Sequence, residues 1–255
     1  MTTTPTSAHV TTVVRDRVAW LEFDGSRAFD GAFWTDLGAA LSTATALDVR
    51  CLALTGGSTF SIGNNLAWLS RSVGTAMRRG DRRTALHASG EPMRQVARLL
   101  GDSPVVTIAA VAGDVVGAGA ELACLTDLRI CLGPVTVTLP EPQLGVVPDL
   151  APPELLDDVL GSRTARRLLL AGQSLHMEPP TTETFADYGC RDITEADALL
   201  HSLSASFATG AVLPRLRRAA QHARLAEDAA AFNSRICEPT EFRASIRRYV
   251  EDKHG

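Results

Sequence analysis

The apolar run Val105-Val106-Thr107-Ile108-Ala109-Ala110-Val111 leads into a Gly117-Ala118-Gly119 turn and then a carboxylate, Glu121. A run without polar alternation suits a strand covered on both faces, and a glycine-rich turn behind it suits passage into a helix. Glu141 closes a second such stretch, in Leu139-Pro140-Glu141-Pro142-Gln143-Leu144-Gly145 after the alternating Val135-Thr136-Val137-Thr138. A carboxylate in apolar surroundings is costly to ionise, so its pKa rises toward the range useful for proton transfer. Two that converge make a candidate acid/base pair.

The turn before Glu121 adds a second ingredient. A helix from about Ala120 leaves free backbone N–H groups at its start, where the helix dipole also favours negative charge. A dinucleotide fingerprint would need a third glycine, and Leu122 stands at that place. The Gly-Lys-Ser/Thr of a phosphate-binding loop is absent as well. A partner turn lies upstream, where the strand Cys51-Leu52-Ala53-Leu54-Thr55 is followed by Phe60-Ser61-Ile62-Gly63-Asn64-Asn65-Leu66. Gly63 permits a sharp turn that points the Asn64 N–H outward. Two backbone donors from separate turns are what an oxyanion hole requires.

The rest of the chain alternates strands with helices and predicts an α/β protein. Strands are expected at Thr11–Phe23 (two, around Arg15-Asp16), Val49–Thr55, Val105–Val111, Leu128–Cys131 and Val135–Leu139. Helical spacing covers Phe33–Leu47, then Leu66–Leu100 in two pieces broken near Gly80-Asp81. From Pro153 the pattern becomes helical: Pro153–Leu160, Ser162–Ala171, Glu195–Ala208, and Leu213–Val250 with a break at Glu238-Pro239. A net charge of −4 gives no general nucleic-acid or membrane surface. Cysteines 51, 124, 131, 190 and 237 lack paired spacing and read as reduced core residues of a cytoplasmic protein. The six histidines form no metal-ligand pattern, so no metal is expected. Met1–Ala8 reads as a polar tail without the apolar segment of a secretory signal. No apolar run reaches the roughly 18 residues of a membrane span.

These motifs resemble the enoyl-CoA hydratase/isomerase (crotonase) family. Phe60 to Leu66 matches its Phe-Ser-x-Gly-x-Asp-Leu pattern, with Asn65 where Asp is usual. A second family block is matched by Ala109, Ala110, Val111, Gly113, Gly117, Gly119, Glu121, Leu122 and Asp127-Leu128-Arg129-Ile130. A third is matched by Pro140, Glu141, Leu144, Gly145 and Pro148. The resemblance runs from about Val10 to about Ile193. It implies a crotonase-like spiral of β-β-α units over residues 1–195, and a C-terminal helical region over 196–255 that packs against neighbouring subunits in a homotrimer or homohexamer.

The resemblance also implies roles. Asn64 and Ala118 would hold a thioester oxygen through their N–H groups, with Ala118 replacing a common glycine. Glu141 would exchange the proton at the α-carbon, and Glu121 would hold water at the β-carbon. The substrate would be an acyl thioester of coenzyme A or of the phosphopantetheine of an acyl-carrier protein, with no other cofactor. Arg27, Ala28, Phe29, Ile62, Asn65 and Leu66 would lie along the coenzyme A arm, although Arg27–Phe29 also reads as a solvated loop. The cluster Arg78-Arg79-Gly80-Asp81-Arg82-Arg83 would attract phosphates, recognise an acidic carrier, or form a solvated face. Asp149 stands where the family has small residues, and it either adds a third carboxylate or caps the next helix; His87 and Glu91 are candidates for the same pocket. That departure points to a specialised acyl substrate, as in secondary metabolism. The implied reaction is hydration or dehydration. Double-bond isomerisation, decarboxylation and non-catalytic binding of a thioester or a partner enzyme are the alternatives.

Overall fold

The computed structural model describes residues 2–5, 7–78, 90–178, 185–213, 228–233 and 239–254. Seven strands cross one sheet in chain order: β1 (Thr2–Pro5), β2 (Val10–Arg15), β3 (Val18–Phe23), β4 (Cys51–Thr55), β5 (Val106–Val116), β6 (Leu128–Thr138) and β7 (Leu175–Met177). An eighth, β8 (Tyr188–Cys190), also pairs with β6. Pairing is parallel from β3 through β6 and antiparallel at β1–β2, β2–β3 and β6–β7.

Parallel neighbours need helical crossovers, and the chain supplies them. Helix α1 (Gly31–Thr45) joins β3 to β4; α2 (Leu66–Arg78) and α3 (Glu91–Gly101) lie between β4 and β5; α4 (Ala118–Leu125) joins β5 to β6. After β6 come a 3₁₀ turn (Glu141–Leu144), α5 (Pro153–Leu160), α6 (Ser162–Leu169), α7 (Ile193–Ser204) and α8 (Pro239–His254).

Both faces of the central strands are covered, which explains their unbroken apolar runs. Leu52, Leu54, Ala109 and Val111 face a core shared with α1, α3, α4 and α5. Cys51, Ala53, Ile108 and Ala110 face the opposite side, against Ala196 and Leu200 of α7. The periodic positions Phe33, Leu37, Leu41 and Ala44 of α1 are all buried, and Asp30 caps that helix by accepting from the N–H groups of Ala32 and Phe33. Cys51, Cys124, Cys131 and Cys190 are buried thiols. Burial pushes Cys51, Cys124 and Cys131 up to about 12, where a nucleophilic thiolate does not form.

Besides β7 and β8, which the sequence did not predict, the structure departs from expectation in three places. Thr2–Pro5 is an edge strand on β2 rather than a tail, as suits β-branched threonines with proline at the strand end. β5 continues past Val111 to Val116, and the two stretches 128–131 and 135–138 are one strand, β6. The register between them shifts at Val111/Gly113, so the second halves of β5 and β6 pair with each other beyond the end of β4. Ser61 bridges to Val115 there, which brings the Phe60–Asn64 turn beside the start of α4.

Candidate active site

The Phe60–Asn64 turn rests on an aromatic cluster of Phe23, Phe29, Phe33, Trp34 and Phe60, in which Phe29 and Phe33 stack at 3.7 Å. Gly63 has φ +87°, a conformation that favours glycine, and its N–H donates to Ser61 Oγ at 2.9 Å. The Gly63 carbonyl accepts from Phe29, and the Asn65 N–H donates back to Phe29. Between them the Asn64 N–H has no acceptor among the described residues, and Asn64 lines a cavity. The Asn64 side chain is anchored from below, its Oδ1 accepting from buried Trp34 Nε1 at 2.9 Å. Ala118 opens α4 in helical conformation, so its Cβ costs nothing, and it lines the same cavity.

That cavity, of about 190 Å³, gathers Asn64, Ala118, Glu121, Glu141 and Asp149, with Leu66 and Ile62 on its wall. All four expected catalytic positions therefore meet in one place. Glu121 is 2% exposed, and its Oε2 accepts from the N–H groups of Leu150 and Ala151, each at 2.8 Å. Glu141 opens the 3₁₀ turn, shares the cavity with Glu121, and places Oε1 over Gly117. A Cβ on Gly117, which has φ +53°, would lie 2.8 Å from that oxygen. Glu141 Oε2 is buried and has no hydrogen-bond partner.

Burial raises Glu121 well above the usual carboxylate range; the charges of Glu141 and Asp149 add to this, and the two backbone N–H groups oppose it. Burial likewise raises Glu141, to about 7, with Asp149 adding and its own backbone N–H and Glu121 opposing. A charge on Glu141 disfavours ionisation of Glu121, so the pair resists carrying two negative charges.

Asp149 is the third carboxylate of the site rather than a helix cap: α5 is preceded by Pro152 and has no side-chain cap. Glu91 does not line the cavity. It is half-exposed and pairs with Arg94 and Arg98, while Met93 and Arg94 of the same helix turn inward. His87, residues 79–83 and the side chain of Arg78 lie outside the described residues.

Asn65 accepts from the Trp68 N–H at 2.9 Å, capping the first turn of α2; Asn and Asp serve equally there. Arg27, Ala28, Phe29 and Asn65 surround a second cavity of about 320 Å³ with His9, Asp24 and Asp30. Arg27 is exposed, and Ile62 is 45% exposed at the rim of the first cavity.

Several lining residues come from parts of the sequence that carry no motif. Ala230 and Asn233 border the cavity, and Phe242 and Tyr249 of α8 close it. Asn233 Oδ1 accepts from the Val147 N–H at 3.1 Å and its Nδ2 donates to the Val147 carbonyl at 2.9 Å. Phe242 and Ile246 pack on Leu144, with Leu66, Val146 and Tyr249 around them. The described part of the tail thus packs on its own chain. The only sequence signal for it is the apolar spacing of Phe242, Ile246 and Tyr249 on one helix face. Of the apolar positions between 213 and 236, Leu213 is buried and Phe232 exposed, whereas Leu216, Ala220, Leu225 and Ile236 lie outside the described residues.

Among the described residues no helix is long and apolar enough to cross a membrane. None of their His, Cys, Asp and Glu groups is arranged to hold a metal.

Comparison with known proteins gives the family to which this α/β fold and its paired glutamates belong. The profile of enoyl-CoA hydratase/isomerase matches residues 21–179, and the chain belongs to that family. Its fold is similar to the enoyl-CoA hydratase of Bacillus halodurans (TM-score 0.79, 17% identity, 94% of this chain and 100% of that one). It is also similar to OdaA of Pseudomonas aeruginosa (TM-score 0.75, 23% identity, 95% and 99%). An enoyl-CoA hydratase/isomerase of Mycobacterium paratuberculosis aligns with TM-score 0.78 at 17% identity, over 95% and 98%.

Proposed function

We propose that this chain hydrates an α,β-unsaturated acyl thioester, or dehydrates the β-hydroxyacyl thioester in reverse, with coenzyme A or a carrier-protein pantetheine as the thiol. The observation that carries this reading is Glu141 Oε2, a buried acceptor without a partner, in a cavity lined also by Glu121, Asn64 and Ala118. The N–H groups of Asn64 and Ala118 take the role of an oxyanion hole and hold the enolate oxygen, a contribution of about 3 kcal/mol per donor. The Leu150 and Ala151 N–H groups favour the charged form of Glu121 against its burial, and this scheme follows the roles the family implies: the negative charge on Glu121 and the proton on Glu141. Glu121 takes a proton from water as its oxygen attacks the β-carbon, and Glu141 gives its proton to the α-carbon. No further cofactor enters this scheme.

A second reading, double-bond isomerisation, draws on Asp149. A third carboxylate in the same cavity supplies another place to set down a proton removed from the acyl chain. The departure at Asp149 from the small residues usual in the family also supports a specialised, secondary-metabolic substrate. Incubation with crotonyl-CoA and with 3-hydroxybutyryl-CoA, following the enoyl thioester absorbance, separates the readings. Interconversion of the two supports hydration; migration of the double bond in 3-enoyl-CoA without water addition supports isomerisation. Binding without turnover of any thioester would leave an accessory role.

A trimer or hexamer is part of the same proposal. Leu170 (81% exposed) and Val212 (53%) are apolar surface that an assembly would cover. Light scattering giving a stable mass near the 27.1 kDa chain would overturn it.

A further inference from the structure

The cavity holds aromatic surface that hydration does not use. Trp68 lines it from the first turn of α2, and Phe242 lines it from α8. The Asn65 side chain accepts from the Trp68 N–H and so fixes the turn that carries the indole. Against the indole stands Gly31 of α1, where a Cβ would lie 3.3 Å from Trp68 Nε1, so the missing side chain leaves the ring its seat. Phe242 is buried and packs on Leu144. Phe23, Phe29, Phe33, Trp34 and Phe60 engage one another through ring contacts at 3.7–5.6 Å. Trp68 and Phe242, by contrast, have no ring partner among the described residues. Met93 lines the same space, its sulfur 3.8 Å from Asn64 Nδ2. The rings come from α2 and α8 and the acid/base pair from α4 and the 3₁₀ turn, so separate elements supply the aromatic wall and the carboxylates.

We propose that the acyl group bound here ends in an aromatic ring, seated against Trp68, Phe242 and the Met93 sulfur, so that the substrate is an aryl-substituted enoyl thioester. Aromatic pairs that meet offset or edge-to-face attract beyond the area they bury. A thioether sulfur adds a favourable contact at a ring edge. Both protein rings are held by their own packing, so receiving a ligand ring costs little ordering of the wall. Size agrees with this. An apolar cavity of about 150 Å³ admits benzene, and this one, of about 190 Å³, has room for one ring and a short chain. A linear acyl chain of equal carbon number would lose rotational freedom in filling the same space, and a rigid ring does not.

This inference rests on the thioester reading, and the test separates the two. Calorimetry compares 3-phenylpropanoyl-CoA with 3-cyclohexylpropanoyl-CoA, which has the same carbon skeleton, and with hexanoyl-CoA; none of the three can be hydrated. The full chain is used, as wild type, Trp68→Leu and Phe242→Leu. We expect the phenyl ester to bind about tenfold tighter than the cyclohexyl ester, and tighter than the hexanoyl ester, with the phenyl-to-cyclohexyl ratio falling toward one in each variant. A wild-type ratio near one, or tighter binding of the hexanoyl ester, overturns the proposal, and this arm needs no variant to fold. An unchanged ratio in either variant also overturns it, because a side chain that only supports the wall weakens both ring esters together. Hydration of crotonyl-CoA alongside a ratio near one would remove the aryl group and leave the hydratase reading standing. A tenfold ratio without turnover of cinnamoyl-CoA or crotonyl-CoA would do the reverse.

Discussion

Asn233 grips the main chain of Val147 with both ends of its carboxamide, accepting from its N–H and donating to its carbonyl. Val147 lies in the loop whose next residues bring Asp149 to the cavity and the Leu150 and Ala151 N–H groups to Glu121. One polar side chain near the C-terminus thus sets the ionic surroundings of a carboxylate more than a hundred residues away in sequence.

Asn233→Ala removes both bonds, a loss of about 1–2 kcal/mol at about 1 kcal/mol each. Tm should fall by roughly 2–8 °C for a chain of this size. If the clamp positions the loop, kcat falls more than KM rises; calorimetry with steady-state kinetics checks both. A KM effect alone would place Asn233 in substrate contact instead.

Glu141→Gln is expected to abolish exchange of the α-proton, and Glu121→Gln to spare that exchange while removing water addition. Deuterium incorporation from solvent, followed by NMR on a saturated thioester, reads the first; absorbance of crotonyl-CoA reads the second. Equal loss of exchange in both variants would refute the division of labour.

Glu141 is raised from 4.5 to about 7 by burial. The folded protein therefore holds a proton there that the unfolded chain has already released between those values. Stability is greatest below about pH 4.5, as far as this group is concerned, and declines as pH rises through about 7. Urea midpoints at pH 5 and pH 8 measure this decline, and Glu141→Gln should flatten it. Asp149→Asn removes a charge that raises both glutamates, so it should move the decline to lower pH.

Gly117→Ala places a Cβ 2.8 Å from Glu141 Oε1 at φ +53°. The carboxylate must move, and a displacement near 1 Å costs about 10²-fold in rate. Turnover should fall by that order while circular dichroism stays native; wild-type activity would show that Glu141 is not held by this contact.

Much of the site is legible in sequence because each part is local. Gly63 before Asn64, Gly117 before Ala118, and a glutamate behind each apolar stretch are neighbours along the chain, and spacing alone predicts their turns. Glu91 is a candidate for the pocket that the sequence alone does not decide, since periodicity does not say which side of a helix meets a cavity; Met93 and Arg94 meet it instead. Asn233, Phe242 and Tyr249 escaped for another reason: their partners are the loop and 3₁₀ turn at 141–149, and nothing in either segment encodes the other. The single β6 was read as two strands because Gly133-Pro134 reads as a break, whereas Gly133 at φ +69° carries the strand through it.

The packing of Phe242 and Ile246 on Leu144 makes the last helix and the 3₁₀ turn that begins with Glu141 a single cooperative unit. Amide exchange along α8 would then slow when the cavity is filled, even at residues that never touch the ligand. The end of the chain becomes a remote gauge of occupancy.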